Sequence, residues 1–394
     1  MWSHVFFSAP HRVFFAGGLI QVLLALGFWC LELAVRLGGA SLPWSLPATW
    51  LHGGMMLYGL FTWFILGFLT TALPKWMDHG PLVQAEYLPP FLLLALGALV
   101  WDLGFLWPRL ILPGTLLSAL GLLLAAGVLL RVTLRGEGGR EHALLVLVTL
   151  VAGAIGLVLH GLAVQGLDVR LQAAAVVLGV WCFLLPLFFI VLHRMLPFFV
   201  ASTLPGTQAW RPLALLYLML ACLLGHGLLQ LAGWNTAAAD LPAFLVACVC
   251  LVRWGFRRSL GVPMLAMLHW GWAWACLALG LQAMQSLLQL GGMSWGGLAP
   301  LHALGLGFFL SVLMGMGTRV TRGHSGRPIA EDAWGWRCFL VLQGAVVLRL
   351  LGEFLPLGGL VNFLAVLVAF AAFLLWAAIH GPMYYRARPD GQPG

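Results

Sequence analysis

Long apolar blocks alternate with brief polar interruptions, and most blocks reach the roughly 20 residues that a helix needs to cross a hydrocarbon core of about 30 Å. They stand near 13–37, 51–73, 88–107, 110–131, 142–165, 172–195, 212–232, 241–254, 262–288, 299–319, 336–355 and 358–381. The pattern predicts an all-α fold, a polytopic membrane helix bundle of about twelve transmembrane helices, with residues 1–394 forming a single transmembrane domain. The block at 241–254 is the weakest. Asp240 and Pro242 open it, and Arg253, Arg257 and Arg258 close it too soon for an untilted crossing, so its helix is expected to begin earlier, among the alanines.

Lysine and arginine orient the bundle. With the N-terminus inside, the inner segments carry Arg12, Lys75, Arg131, Arg135, Arg140, Arg194, Arg211, Arg253, Arg257, Arg258, Arg319, Arg322, Arg327, Arg337, Arg386 and Arg388, which is 16 of the 20 cations. Only Arg36, Arg109, Arg170 and Arg349 fall outside. Such asymmetry supports an even number of crossings and an N-in, C-in topology. It also accounts for the formal charge of +8 without a nucleic-acid partner.

Composition agrees, since 8% charged side chains and a mean hydropathy of +1.00 cannot supply the surface of a soluble fold this size. The first apolar run is too long for a cleaved signal and reads as the first helix. Cys30, Cys182, Cys222, Cys248, Cys250, Cys276 and Cys338 form no CxxC or CxxCH and read as small buried hydrophobes.

Histidine carries the candidate chemistry. His52, His160, His193, His269 and His302 each follow a leucine inside an apolar run, and an imidazole in hydrocarbon needs a partner side chain, a carbonyl or a metal. Topology sorts them by depth: His52, His160, His226 and His302 share the outer layer, while His193 and His269 lie toward the inside, near His79, His324 and His380. The spacing of 33 between His160, His193 and His226, and again between His269 and His302, is about what a helix plus a short loop gives, so it does not require a duplication. His4, His11, His142 and His380 are expected to reach the headgroups.

Haem b would take one or two such imidazoles, and a histidine copper site would take several from separate helices. The candidate metal ligands are His52, His302, His269, His160, His226 and His193. His52 and His302 are favoured, because His52-Gly53-Gly54 and His302-Ala303-Leu304-Gly305 place small residues where a flat macrocycle or a close helix needs room. Met55 and Met56 stack near His52, where a thioether suits Cu(I) or a haem iron, although gap filling is methionine's ordinary role. Arg319, Arg322, His324 and Arg327 follow the inner end of the tenth block, where they could hold haem propionates, lipid phosphates or a quinol headgroup, and the Ser325-Gly326 turn would aim His324 and Arg327 back at the bundle.

The string LHALGLGFFLSVLMGMGTRVTRGHSGRPI, from Leu301 to Ile329, resembles the hallmark segment of the NnrS family of bacterial membrane proteins. LHGGMMLYG from His52, GFLTTALPKW ending at Trp76, RMLPFF from Arg194, LHWGWAW at His269 and HRVFF near the N-terminus extend the likeness along the chain. The resemblance implies a twelve-helix bacterial inner-membrane protein holding haem and copper and serving tolerance of nitric oxide. It points to His52, His269, His302, Arg194, Arg319, His324 and Arg327 as cofactor-binding residues. Where the family commonly has WHAHEM this chain has LHGGMM, so Gly54 and Met55 replace a histidine and a glutamate. His193 stands before Arg194 where glycine is usual.

Three kinds of activity fit: a redox or nitric-oxide-handling metalloprotein, served by a quinol or another membrane electron donor; a haem or copper carrier or assembly factor; and a secondary transporter of a small solute or metal. Glu32, Asp102 and Glu353 all lie toward the outer ends, and no carboxylate occupies the middle of blocks five to ten, which disfavours coupled transport. Haem–copper oxidase subunits also have twelve helices and outer histidines, but this chain has no His-His pair and no His-x-His.

Overall fold

Residues 5–44, 46–329 and 332–391 are described by the computed structural model, and His4 lies outside them. Among the described residues eleven helices are long and apolar enough to cross a membrane: α1 (Pro10–Leu37), α2 (Ala48–Trp76), α3 (Gln84–Leu103), α4 (Pro108–Arg135), α5 (Glu141–Gly166), α6 (Val169–Thr203), α7 (Leu213–Leu231), α9 (Pro263–Leu290), α10 (Ala299–His324), α11 (Ala333–Leu351) and α12 (Gly358–Tyr385). Between α7 and α9 lies α8, Ala237–Arg253, of 17 residues. It begins among the alanines, as its sequence suggested. No strand occurs among the described residues.

The termini decide whether α8 crosses. Arg12, buried at the start of α1, donates to the carbonyls of Tyr384 (3.2 Å) and Arg386 (2.9 Å) at the end of α12, and the Phe6 and Tyr385 rings stack 4.9 Å apart. Both ends of the chain therefore share one face, which requires an even number of crossings. Eleven long helices leave them on opposite faces; α8 restores the parity. Its far end returns to the level of the α6–α7 connection, where the Arg253 guanidinium lies over the Trp210 ring at 4.9 Å.

Most helices pack against their neighbours in the chain, α2 and α3 being the exception, and α12 packs against α1. Three helices sit inside the bundle: the most apolar windows of α2, α6 and α10 are 72%, 83% and 78% buried, against 33% for α3, α7 and α11. The pattern recurs at every fourth helix. The same three helices carry the π-helical turns, Met55–Leu60, Leu178–Leu184 and Ala303–Phe309. A π turn inserts a residue into the helical ladder, loosens its backbone bonds and is common at functional sites. At the ends of these turns the helices meet through Phe61, Phe188 and Phe309, with ring centroids 4.9 to 5.8 Å apart.

Small residues set the closest approaches, as expected where lipid gives helices no hydrophobic reason to associate. A Cβ on Gly114 of α4 would come within 2.5 Å of the Trp101 backbone nitrogen on α3, and one on Gly97 within 2.6 Å of the Ser118 backbone nitrogen. Gly114→Val is expected to cost about 1–3 kcal/mol, the usual price of overpacking, read as a lower unfolding temperature of the purified protein. An unchanged temperature would contradict this contact.

Three expectations at the headgroups fail. His11, His142 and His380 are buried: His142 and His380 find hydrogen-bond partners inside the bundle, whereas His11 packs its ring on another imidazole and leaves its Nδ1 without a hydrogen bond. The His11 ring lies 4.6 Å from that of His324, His142 Nε2 donates to His193 Nδ1 at 3.0 Å, and His380 Nε2 donates to Asp332 Oδ2 at 2.8 Å. Burial alone would raise the Asp332 carboxyl, but His380, the Gly335 N–H and Arg322 together hold it below its ordinary range. The helices also run past the expected loop boundaries: α6 continues through Arg194 to Thr203 and α10 through Arg319 to His324. Long arginine side chains let a helix end remain regular while the charge finds an aqueous mouth.

Candidate functional site

The sequence-predicted residues divide between the two ends of the core helices. Arg319 lies 17 positions beyond His302 on α10, about 26 Å at about 1.5 Å of rise per residue. That is too far for one macrocycle to use the outer imidazoles and the inner arginines together.

At the outer end, His52 sits in the first turns of α2, just ahead of its π turn, and stacks on Trp29 of α1 with centroids 4.1 Å apart and an 18° tilt. Its Nδ1 is buried and has no hydrogen-bond partner. His302 holds the corresponding place on α10, directly before the π turn there. The two imidazoles lie within electrostatic reach of one another and of Arg349 on α11. Arg349 Nη2 lies 3.0 Å from His302 Nδ1 and 3.3 Å from its Nε2; when Nδ1 donates to the Leu298 carbonyl at 3.0 Å, Nε2 is the nitrogen left to accept from Arg349. Arg349 is also paired with Glu353 at 2.6 Å. Beside each histidine the backbone faces open space, because a Cβ on Gly53 or Gly305 would meet no atom within 4 Å. An unclaimed imidazole nitrogen, a second imidazole, a flat indole, a guanidinium and two bare glycines suit a flat group bearing carboxylates.

His160 of α5 belongs to the same layer. Its Nδ1 donates to Gln172 Oε1 at 2.9 Å, and its Nε2 is buried without a partner, facing α2 at Gly54. A Cβ on Gly54 would approach that nitrogen within 2.3 Å. The imidazole of α5 thus fills the place where the family commonly carries a second histidine on α2. Gly54→Ala must displace His160 or part α2 from α5, and is expected to cost about 1–3 kcal/mol in unfolding free energy; a neutral substitution would show that the ring yields freely.

The other nominated ligands are engaged. His226 stacks on Trp181 at 3.5 Å, and its Nδ1 is bonded to Asp240 Oδ1 at 2.5 Å and its Nε2 to Gln230 Oε1 at 3.2 Å. Thr236 donates to the other Asp240 oxygen at 2.7 Å. His193 accepts from His142 and donates to the Pro212 carbonyl at 3.2 Å. Both ring nitrogens of His269 face carbonyls, those of Leu265 at 3.0 Å and Trp254 at 3.1 Å. Among the described residues, no three His, Cys, Asp or Glu side chains converge as a metal site.

At the opposite end, on the face where the termini meet, α2, α6 and α10 part around a cavity of about 730 Å³. Lys75, Arg194 and Arg319 enter it, one from each core helix, with Arg211, Arg388 and His324 at its rim, and no carboxylate is among its described lining residues. The Arg194 guanidinium lies over Trp76 at 4.9 Å and that of Arg319 over Phe199 at 3.9 Å. Sequence reasoning named Arg194, Arg319 and His324, and the fold brings them together. It passed over Lys75, although this is the chain's sole lysine and closes one of its motifs. Arg327 is elsewhere: Gly326, at φ +69°, turns the chain so that Arg327 donates to the Ser325 carbonyl at 3.4 Å, outside the cavity lining.

These features define a multi-pass helical membrane protein in which core helices α2 and α10 carry imidazoles at one end, and α2, α6 and α10 together bring cations without an ion pair among the described residues to the other. The chain matches the family model described as NnrS protein over residues 5–388, nearly its whole length. It belongs to the NnrS family. No curated protein is similar enough to register as a match.

Proposed function

We propose that the protein binds haem b in the outer half of the bundle and handles nitric oxide there, in the cytoplasmic membrane of a bacterium with both termini inside. The observation that carries this reading is the buried, partnerless Nδ1 of His52 beside His302 and the open space at Gly53 and Gly305. A buried polar atom without a partner costs about 1–3 kcal/mol, and an iron ligand bond would offset that cost. Bound haem would supply an iron that takes a diatomic gas and exchanges single electrons.

The chain's own residues supply the remainder. His52 and His302 would hold the group, and Trp29 would give its plane a flat face. Arg349, poised between His302 and Glu353, can move its guanidinium to a carboxylate and so free His302 Nε2. Apolar helices around this layer exclude water and admit an uncharged gas from the lipid. A membrane quinol or similar donor fits as the source of electrons.

The side chains present do not gather a copper centre. His226, His193 and His269 are held by Asp240, His142 and backbone carbonyls, and His160 Nε2 faces the bare backbone of Gly54. No step is assigned to copper.

The test is a nitric oxide titration of the reduced, purified protein followed by absorbance. A saturable shift of the haem bands at one gas per haem is expected. A haem spectrum indifferent to nitric oxide would leave a haem carrier as the better reading.

A further inference from the structure

The basic cavity has no role in the outer site. Its charges lie among the core helices, where a cation without a counter-charge is costly. Among the described residues, Lys75, Arg194, Arg211 and Arg319 form no ion pair. Arg388 alone of the cavity's strong cations is matched, by Asp390. Arg319 rests on Phe199, and Arg194 donates weakly to the Trp76 carbonyl at 3.4 Å; Asp78 and Glu141 reach Arg194 only as distant charges. Positive-inside anchoring would turn these side chains outward to lipid phosphates. Here three of them come from three separate helices and converge on one space.

Most of the rest of the wall is apolar, with Phe68, Phe198, Met195 and Met316 lining the same space beside Thr71. A second, wholly apolar slot of about 60 Å³ continues inward between α2, α6 and α10, and Phe68 and Met316 line both. The volume of the basic cavity is that of a small-molecule site, which commonly spans about 300–1,000 Å³.

We infer that this mouth binds an anionic amphiphile, with a phosphate or carboxylate head held by Lys75, Arg194 and Arg319 and an apolar body lying along Phe68 and Met316 toward the slot. The head supplies the missing counter-charge, and the body covers apolar wall that water would otherwise wet. Arg319 and Arg194, fixed over aromatic faces, present guanidinium edges to the head. Lys75 adds a mobile third charge.

The test uses the full-length protein in phosphatidylcholine nanodiscs, with calorimetric titration and the unfolding temperature as readouts. Dodecyl phosphate and dodecanoate are expected to bind saturably, whereas inorganic phosphate and dodecanol at the same concentrations are not. Arg319→Gln should weaken dodecyl phosphate by about ten- to a hundredfold, the effect of one lost charge-assisted bond, and Arg135→Gln, outside the cavity, should not. Equal binding by Arg319→Gln, equal binding of dodecanol, or inorganic phosphate binding as tightly as dodecyl phosphate would each overturn the proposal. Haem is itself an anionic amphiphile, so haem content is measured alongside. Unchanged haem in Arg319→Gln keeps the two sites separate, and haem lost with that arginine would overturn this assignment of the mouth.

Discussion

His52→Ala, and separately His302→Ala, is expected to abolish the haem absorbance of the purified protein while leaving it inserted and folded. Removing even an outer partner of a metal ligand typically weakens a metal site about 10–100-fold, so loss of the ligand itself should exceed that. Insertion survives because neither ring anchors the bundle. His52 leaves a nitrogen without any bond, and His302 lends its bonds to Leu298 and Arg349, which keeps Glu353 as a partner. The readout is haem per chain from absorbance and iron analysis, beside the unfolding temperature of each variant. Normal pigment in both variants would remove these residues from the site. Pigment lost together with the fold would show only that the layer is structural.

Asp240→Ala is expected to do the reverse, lowering stability steeply while sparing haem in the chains that fold. Asp240 is buried at the head of α8, where it takes His226 on one oxygen and Thr236 on the other. Removing one member of a buried pair costs about 3–5 kcal/mol, since the remaining partner cannot return to water. Its position in the first turn of α8 also lets the carboxylate meet the positive end of the helix dipole. Chemical unfolding measures the loss, and haem per folded chain is the control. Full stability would mean that His226 is free to rotate elsewhere, and loss of haem with intact stability would return His226 to the set of ligands.

Depth was legible in the sequence and adjacency was not. Hydropathy marked about twelve apolar blocks; among the described residues eleven correspond to helices long and apolar enough to cross and the other to the 17-residue α8, whose expected start among the alanines agrees with Ala237. Leu-His at 52 and 302, each beside small residues, pointed to the two outer imidazoles, because glycine next to a buried histidine is visible in one strand of text. No such sign marks which helix faces which. Asp240 meets His226 and His142 meets His193 across packed helices, so these histidines looked as available as His52. The π turns have no compositional mark either, because a π turn is an inserted residue rather than a residue type. The arginines misled in another way. Charge suggested loops, yet Arg194 and Arg319 remain helical by laying their guanidinium groups on Trp76 and Phe199.

The most direct test of the account is the haem content and absorbance spectrum of the wild-type protein, purified from cells supplied with iron and compared oxidised and reduced. A Soret band and reduced-state bands of haem b are expected, at a fixed ratio to the chain, with no matching stoichiometric copper. A folded, colourless, iron-free protein would contradict it, because the imidazoles of the outer layer would then be complete without a metal.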